Sequence, residues 1–229
     1  PDHFLPHDFK VAQACTDRPV KVTIPGPITI ADTTADAFYH DKPKLCRDLA
    51  TAVNYEVRAL SDAGCRYIQI DEPLFARKPE DALSFGIENL ERCFHGIGKH
   101  TTAVMHMCCG YPNYLDEEGF QKADAEIYLR LANALDDSLV QQISIEDAHR
   151  HNNLTLLDSF QNTSIIFGSF TIANSRVESV EEIRERLQAA LEHIDPERLI
   201  AAPDCGLGLL GRELAILKLQ NMCTAAKSF

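Results

Sequence analysis

Apolar residues fall along this chain in two alternating rhythms. Short β-branched runs, each closed by a polar or turn residue, occupy 20–27 (VKVTIPGP), 65–73 (CRYIQIDEP), 101–110 (TTAVMHMCCG), 139–147 (LVQQISIED), 163–170 (TSIIFGSF) and 198–206 (RLIAAPDCG). These predict strands. The segments between them carry helical spacing. KLCRDLATAVNYEVRALSDAG (44–64) sets Leu45, Leu49, Val53, Val57 and Leu60 on one stripe and puts Gly64 where a helix would end. SVEEIRERLQAALEHI (179–194) opens on Ser179 with Glu182 three residues later, the signature of a capping box. Helices are also predicted over 80–98, 123–137 and 211–229, with a shorter one after Glu146.

Strands that are apolar on both faces and alternate with amphipathic helices build a parallel sheet with helices outside it. That leaves a barrel or a doubly wound sheet. No Gly-rich fingerprint follows the first strand, while Asp71, Glu72, His106, Cys108, Glu146 and Cys205 stand at the ends of different strands. In a TIM-type (β/α)8 barrel such residues converge on one mouth, so the barrel is the expected fold. Six strand runs are two short of eight. The expectation is therefore a single barrel domain over 1–229 whose first one or two βα units precede residue 1. The breaks DTTADAFYHDKP (32–43) and GYPNYLDEEGFQ (110–121) fit βα loops at the mouth.

Composition narrows the function. A chain of 229 residues with 45% hydrophobic and 24% charged content can bury a large core. It has no apolar run of about 18 residues, and its first residues, PDHFLPHDFK, lack the basic and apolar parts of a signal peptide. A cytoplasmic protein without a membrane partner is expected. The net charge of −12, with no Lys/Arg cluster, argues against a nucleic-acid partner. Eight cysteines scattered through a chain of this size predict reduced thiols, most of them buried and inert.

The stretch VMHMCCGYPN (104–113) crowds a histidine and two thiols where a strand stops. Residues two apart on a strand share a face with Cα atoms roughly 7 Å apart, so His106 and Cys108 can lean toward one ion while Cys109 points away. That opposition also disfavours a Cys108–Cys109 redox pair. With Glu146 and Cys205 added, one imidazole, one carboxylate and two thiolates match the donors zinc takes, and neither calcium nor magnesium would choose them. Each residue also has a structural reading: strand-end cysteines are commonly core, and Glu146 beside Asp147 could form a capping pair. His149 and His151 fall in a loop and are expected to be solvated.

The segments IQIDEP (68–73), HMC (106–108), ISIED (143–147) and APDCGLG (202–208), in this order and at these separations, resemble the catalytic domain of the cobalamin-independent methionine synthase family. The resemblance runs from about Pro19 to the C-terminus and is nearest to the short, single-domain type. It implies a (β/α)8 barrel with one zinc ion held by His106, Cys108, Glu146 and Cys205. It further implies that the thiol of homocysteine receives a methyl group from 5-methyltetrahydrofolate or a related donor. Asp71 matches the family's acidic residue that holds the amino group of the substrate. Glu72 beside it is a second candidate for substrate binding, and Asp204 a candidate for support of the Cys205 ligand. Three features depart from the full-length members. No counterpart of their Ile-Gly-Ser segment and its further glutamate is found. The chain has no Trp, and Thr33 stands at about the place of the pterin-stacking one. Ala173 or Asn174 stands where those members carry a proton-relay histidine. The alternative reading is zinc-dependent alkyl transfer to another small thiol, as in epoxyalkane:coenzyme M transferases. A decarboxylase of the uroporphyrinogen type and a non-catalytic zinc-stabilised module are weaker competitors, and no motif speaks to oligomeric state.

Overall fold

The computed structural model describes residues 3–124 and 126–229. All six predicted strands form: β1 (Lys21–Pro25), β2 (Tyr67–Asp71), β3 (Thr102–Met107), β4 (Gln142–Ile145), β5 (Ser164–Gly168) and β6 (Leu199–Ala202). They make one sheet in the order β1-β2-β3-β4-β5-β6. The parallel registers pair Asp71 with both Pro25 and His106, and Gly168 with Ala202. Spatial order that follows chain order, without reversal, is barrel-type winding; a doubly wound sheet would switch direction at its middle. Among the described residues β1 and β6 are the two ends of this order and do not pair with each other.

The chain divides into two compact units, Pro1–His106 with Asp137–Gln142, and Met107–Asp136 with Ile143–Phe229. In the first, helix α1 (Leu5–Ala14) precedes β1, and helix α2 (Pro27–Asp32) follows it directly. Neither is among the predicted helices. Helix α3 (Lys42–Asp62) is where its periodicity predicts. Asp41 caps it by accepting from Lys44 N, and Gly64 beyond its end takes φ +93°, a conformation glycine adopts without strain. Its buried face holds Cys46, Ala50, Val53, Val57 and Leu60, while Leu45 and Leu49 are half-buried. The stripe is therefore turned by one residue in its first two turns. A short helix α4 (Leu74–Arg77) follows β2, and the helix predicted over 80–98 forms as α5 (Pro79–Asp81), a π-helical turn (Ala82–Gly86) and α6 (Ile87–Cys93) in unbroken succession. Pro79 lacks the N–H that would continue α4, so the helix restarts there.

In the second unit, helix α7 (Ile127–Asp136) follows the β3 loop, and helix α8 (Val180–Ala190) opens on the predicted capping box. There Glu182 N donates to Ser179 Oγ at 3.2 Å and Ser179 N to Glu182 Oε2 at 2.8 Å. The predicted short helix after Glu146 is a 3-10 helix (Leu154–Ser159). Helix α9 (Arg212–Ala226) runs against its hydropathy: Lys218 is fully buried while Ile216 and Leu217 are exposed. The buried ammonium donates to Glu178 Oε2 at 2.9 Å and to the Thr171 carbonyl at 3.0 Å, which satisfies the charge. No helix among the described residues is long and apolar enough to cross a membrane.

Candidate metal centre

His106 is the penultimate residue of β3, Cys108 lies just beyond its end, and Cys205 follows β6 by three residues. One ligand atom from each lies within 4.8 Å of the other two, and no other group of three histidine, cysteine or acidic side chains among the described residues meets so closely. His106 and Cys108 are buried and Cys205 is half-buried. Around a tetrahedral ion with bonds of about 2.0–2.3 Å, donors sit about 3.4–3.8 Å apart, so small side-chain rotations would close the triad on one ion. The remaining strand-end thiol, Cys109, stands outside the triad. Burial pushes it up to about 11, as it does Cys46, and raises Cys93 further. Thiols so placed behave as apolar core atoms.

Glu146, one residue beyond β4, is not a member of the triad. Its nearly buried carboxylate receives Lys122 Nζ on Oε1 at 2.8 Å and on Oε2 at 3.0 Å, and Cys109 N on Oε1 at 3.1 Å. Its backbone is fixed by fully buried Tyr128, whose hydroxyl accepts from Glu146 N at 3.1 Å and donates to the Met107 carbonyl at 2.8 Å. One phenol thus ties the end of β4 to the end of β3.

Asp204 is fully buried, and burial raises its carboxyl to about 7 against three hydrogen bonds that lower it. Its Oδ1 accepts from Asp147 N at 2.8 Å and Ala148 N at 2.9 Å, and its Oδ2 from His149 N at 2.7 Å. Three successive amides of the β4 loop therefore converge on the residue next to Cys205. Gly168, the last residue of β5, makes room: a Cβ there would lie 1.9 Å from Asp204 Oδ1. Asp147 in turn is clamped by Arg186 from α8, at 2.7 and 2.8 Å, and by Asn152 N at 2.8 Å.

Asp71 and Glu72 diverge as consecutive strand residues do. Asp71 is half-buried and accepts from Thr23 Oγ1 and from Gln69 Nε2 at 2.7 Å. Glu72 is buried and turns to the N-terminus of α2, accepting from Ile28 N at 2.9 Å, Thr29 N at 3.0 Å and Thr29 Oγ1 at 2.7 Å. Burial raises its carboxyl to about 7 although those three bonds pull it down. The structure gives Glu72 a capping role, on a different side of the strand from Asp71.

His151 is exposed as expected, but His149 is half-buried. Its Nε2 accepts from Ile172 N at 3.3 Å, its ring meets Phe120 edge-on, and burial first, then Lys122, lowers it to about 4. Sequence reasoning also passes over Lys122 and Tyr111. Tyr111 donates to the Gly206 carbonyl at 3.0 Å, and burial together with the neighbouring sulfurs of Cys205 and Cys108 raises its phenol. The motif signal for both is weak, because each sits in the long β3 loop where no periodicity marks a direction.

Residues 6–228 match the family described as "Cobalamin-independent synthase, Catalytic domain". Among similar proteins are methionine synthases of Thermococcus kodakarensis, 37% identical over 93% of this chain, and Pyrococcus horikoshii, 34% identical over 95%. The chain spans 58% and 59% of those two relatives. Among solved structures, a B12-independent methionine synthase of Shewanella sp. W3-18-1, in complex with selenomethionine, superposes with a TM-score of 0.90 at 27% identity. That match covers all of this chain and 67% of the other. A putative vitamin-B12-independent methionine synthase of Listeria monocytogenes shares the fold, with a TM-score of 0.76 at 20% identity over all of this chain and 70% of the other. With the strand order, the strand-end motifs and a family match over nearly every residue in agreement, this chain belongs to the cobalamin-independent synthase catalytic-domain family.

Proposed function

We propose that this chain is the catalytic part of a zinc-dependent methyltransferase that moves a methyl group from 5-methyltetrahydrofolate or a related donor to the thiol of homocysteine, making methionine. The observation that carries the reading is the approach of His106, Cys108 and Cys205 to within 4.8 Å of one another from the ends of β3 and β6. One imidazole and two sulfurs suit zinc over calcium or magnesium, with Glu146 the fourth donor that the family resemblance implies. Zinc bound there would make the thiolate of an incoming thiol its resting form near neutral pH.

The chain's own residues supply the rest. Two thiolates and a carboxylate carry more negative charge than a dication cancels, which keeps a substrate sulfur electron-rich. Asp71, preset by Thr23 and Gln69 at the end of β2, offers a carboxylate for the ammonium group of an amino-acid thiol. Asp204 and Tyr128 hold the β4 loop and the strand ends that carry the donors, so little reorganisation is left for binding. Partners are then a small thiol and a methyl donor. The absence of Trp and the presence of Asn174 in the β5 loop favour a second reading, alkyl transfer to a different small thiol.

Elemental analysis should find about one zinc per chain in the wild type and a small fraction of that in Cys205→Ser. Methionine formation from homocysteine, assayed with folate and non-folate donors, separates the two readings. A metal-free protein with full activity would overturn both.

A further inference from the structure

Glu146 is held by a dense set of hydrogen bonds. A carboxylate offers about four lone-pair directions. Lys122 Nζ and Cys109 N take two on Oε1, and Lys122 takes one on Oε2. These bonds leave one direction, on Oε2. Both partners are shielded, with side-chain exposures of 12% for Lys122 and 5% for Glu146, so the pair is only weakly screened by water. The ammonium is also fixed from behind, 4.9 Å from the centre of the Phe120 ring. Its backbone is docked: Ala123 N donates to the Cys109 carbonyl at 2.7 Å, and Arg150 Nη1 donates to the Ala123 carbonyl at 2.8 Å. Gly110 permits that docking, since a Cβ there would lie 2.4 Å from the Gln121 carbonyl oxygen. Lys122 is thus built into place.

We infer that Lys122 is a positioning residue that keeps Glu146 a one-oxygen, readily released donor toward a cation held by His106, Cys108 and Cys205. The ammonium withdraws density from both carboxylate oxygens and occupies the direction a bidentate contact would need. Glu146 becomes the weakest of the four donors and the one an incoming thiol displaces. This rests on the zinc reading above and adds a device that sets how easily the fourth position opens.

The test uses the whole chain with zinc and homocysteine as probes. Zinc affinity is measured by competition with a chromophoric chelator, and thiol entry by titrating homocysteine into the cobalt-substituted protein while following its visible spectrum. Lys122→Met should raise zinc affinity about tenfold, the scale on which residues bonded to ligands act, and raise the homocysteine concentration at half-change by a similar factor. Lys122→Arg should stay near the wild type. In a Glu146→Gln background, Lys122→Met should leave zinc affinity unchanged, because Lys122 acts only through the carboxylate. Unchanged or reduced zinc affinity in Lys122→Met, or an equal effect in both backgrounds, would overturn the inference. If Lys122→Met fails to fold, Lys122→Gln carries the same comparison. Wild-type protein without Cys205-dependent zinc sinks the zinc reading itself, whereas Cys205-dependent zinc with no Lys122 effect sinks this inference alone.

Discussion

At the scale of single residues, the site depends on groups that hold loops as much as on those that face a substrate. Asp204 shows this: its two oxygens gather three amides of the β4 loop, and Gly168 exists to let them do so. Gly168→Ala would drive a methyl group into that carboxylate and against the Asp204 backbone, where nothing flexible can yield. A cost of about 3 kcal/mol follows from overpacking. For a chain of this length it should appear as a melting temperature lower by about 10 °C; an unchanged melt would mean that the Asp204 contacts do not matter to folding. His149 gives a pH signature. Its imidazole is held neutral, with its value lowered from 6.5 to about 4, so the unfolded chain binds the proton more readily than the folded one. The stability this contributes is present above pH 6.5 and is lost as pH falls toward 4. Urea titrations at pH 7, 5.5 and 4.5 should show the wild type losing stability relative to His149→Gln as pH falls; the comparison cancels Glu72 and Asp204, whose raised carboxyls act in the opposite sense. The triad residues are legible in the sequence because strand alternation fixes where side chains at 106 and 108 point. Lys122 and Tyr111 are not, since a long loop has no period from which a direction can be read.

At the scale of elements, legibility follows length and the source of the caps. Helix α3 has five turns of periodicity and its own Asp41 cap, and α8 carries a complete capping box, so both are written in local sequence. Helix α2 is six residues long and opens on Gly26-Pro27 with no side chain of its own to cap it. Its orphan amides are satisfied by Glu72, more than forty residues downstream on the far end of β2. No window-based reading can see a cap of that kind. Gly26 completes the arrangement, since a Cβ there would fall 2.3 Å from the Glu72 carboxylate. Glu72→Ala would strand the buried Ile28 amide and the Thr29 amide, at a cost of about 2 kcal/mol. Hydrogen exchange should report faster exchange at those two amides and unchanged protection in α3. Uniform loss of protection throughout, or none at α2, would remove the capping role. The stretch from Pro79 to Cys93 falls largely within the helix predicted over 80–98, but the π-helical turn at Ala82–Gly86 inside it has no signature in the local pattern.

At the scale of the whole molecule, strand count, strand order and chemistry at strand ends were all readable, because each reflects simple alternation between period-2 and period-3.6 segments. What alternation cannot supply is which long-range partners hold the loops beside the donors, as Asp204 holds the β4 loop. The net charge of −12 adds a consequence of its own. A dication is attracted to so acidic a chain, and one held only by the folded arrangement of these side chains favours the folded state, so metal binding and stability should be linked. A ligand at a thousandfold excess over its dissociation constant adds about 4 kcal/mol, equivalent to roughly 8–16 °C in the melting temperature of a chain this size. Wild-type protein melted with zinc and again after exhaustive chelation should differ by that order. Cys205→Ser, with one sulfur removed, should melt at nearly the same temperature in both conditions. The gap should also narrow as pH is lowered and protons compete for the sulfurs and the imidazole. If chelation leaves the wild-type melt unmoved while zinc is demonstrably removed, the three side chains are packed core groups that happen to meet, and the linkage between the metal centre and the fold is absent.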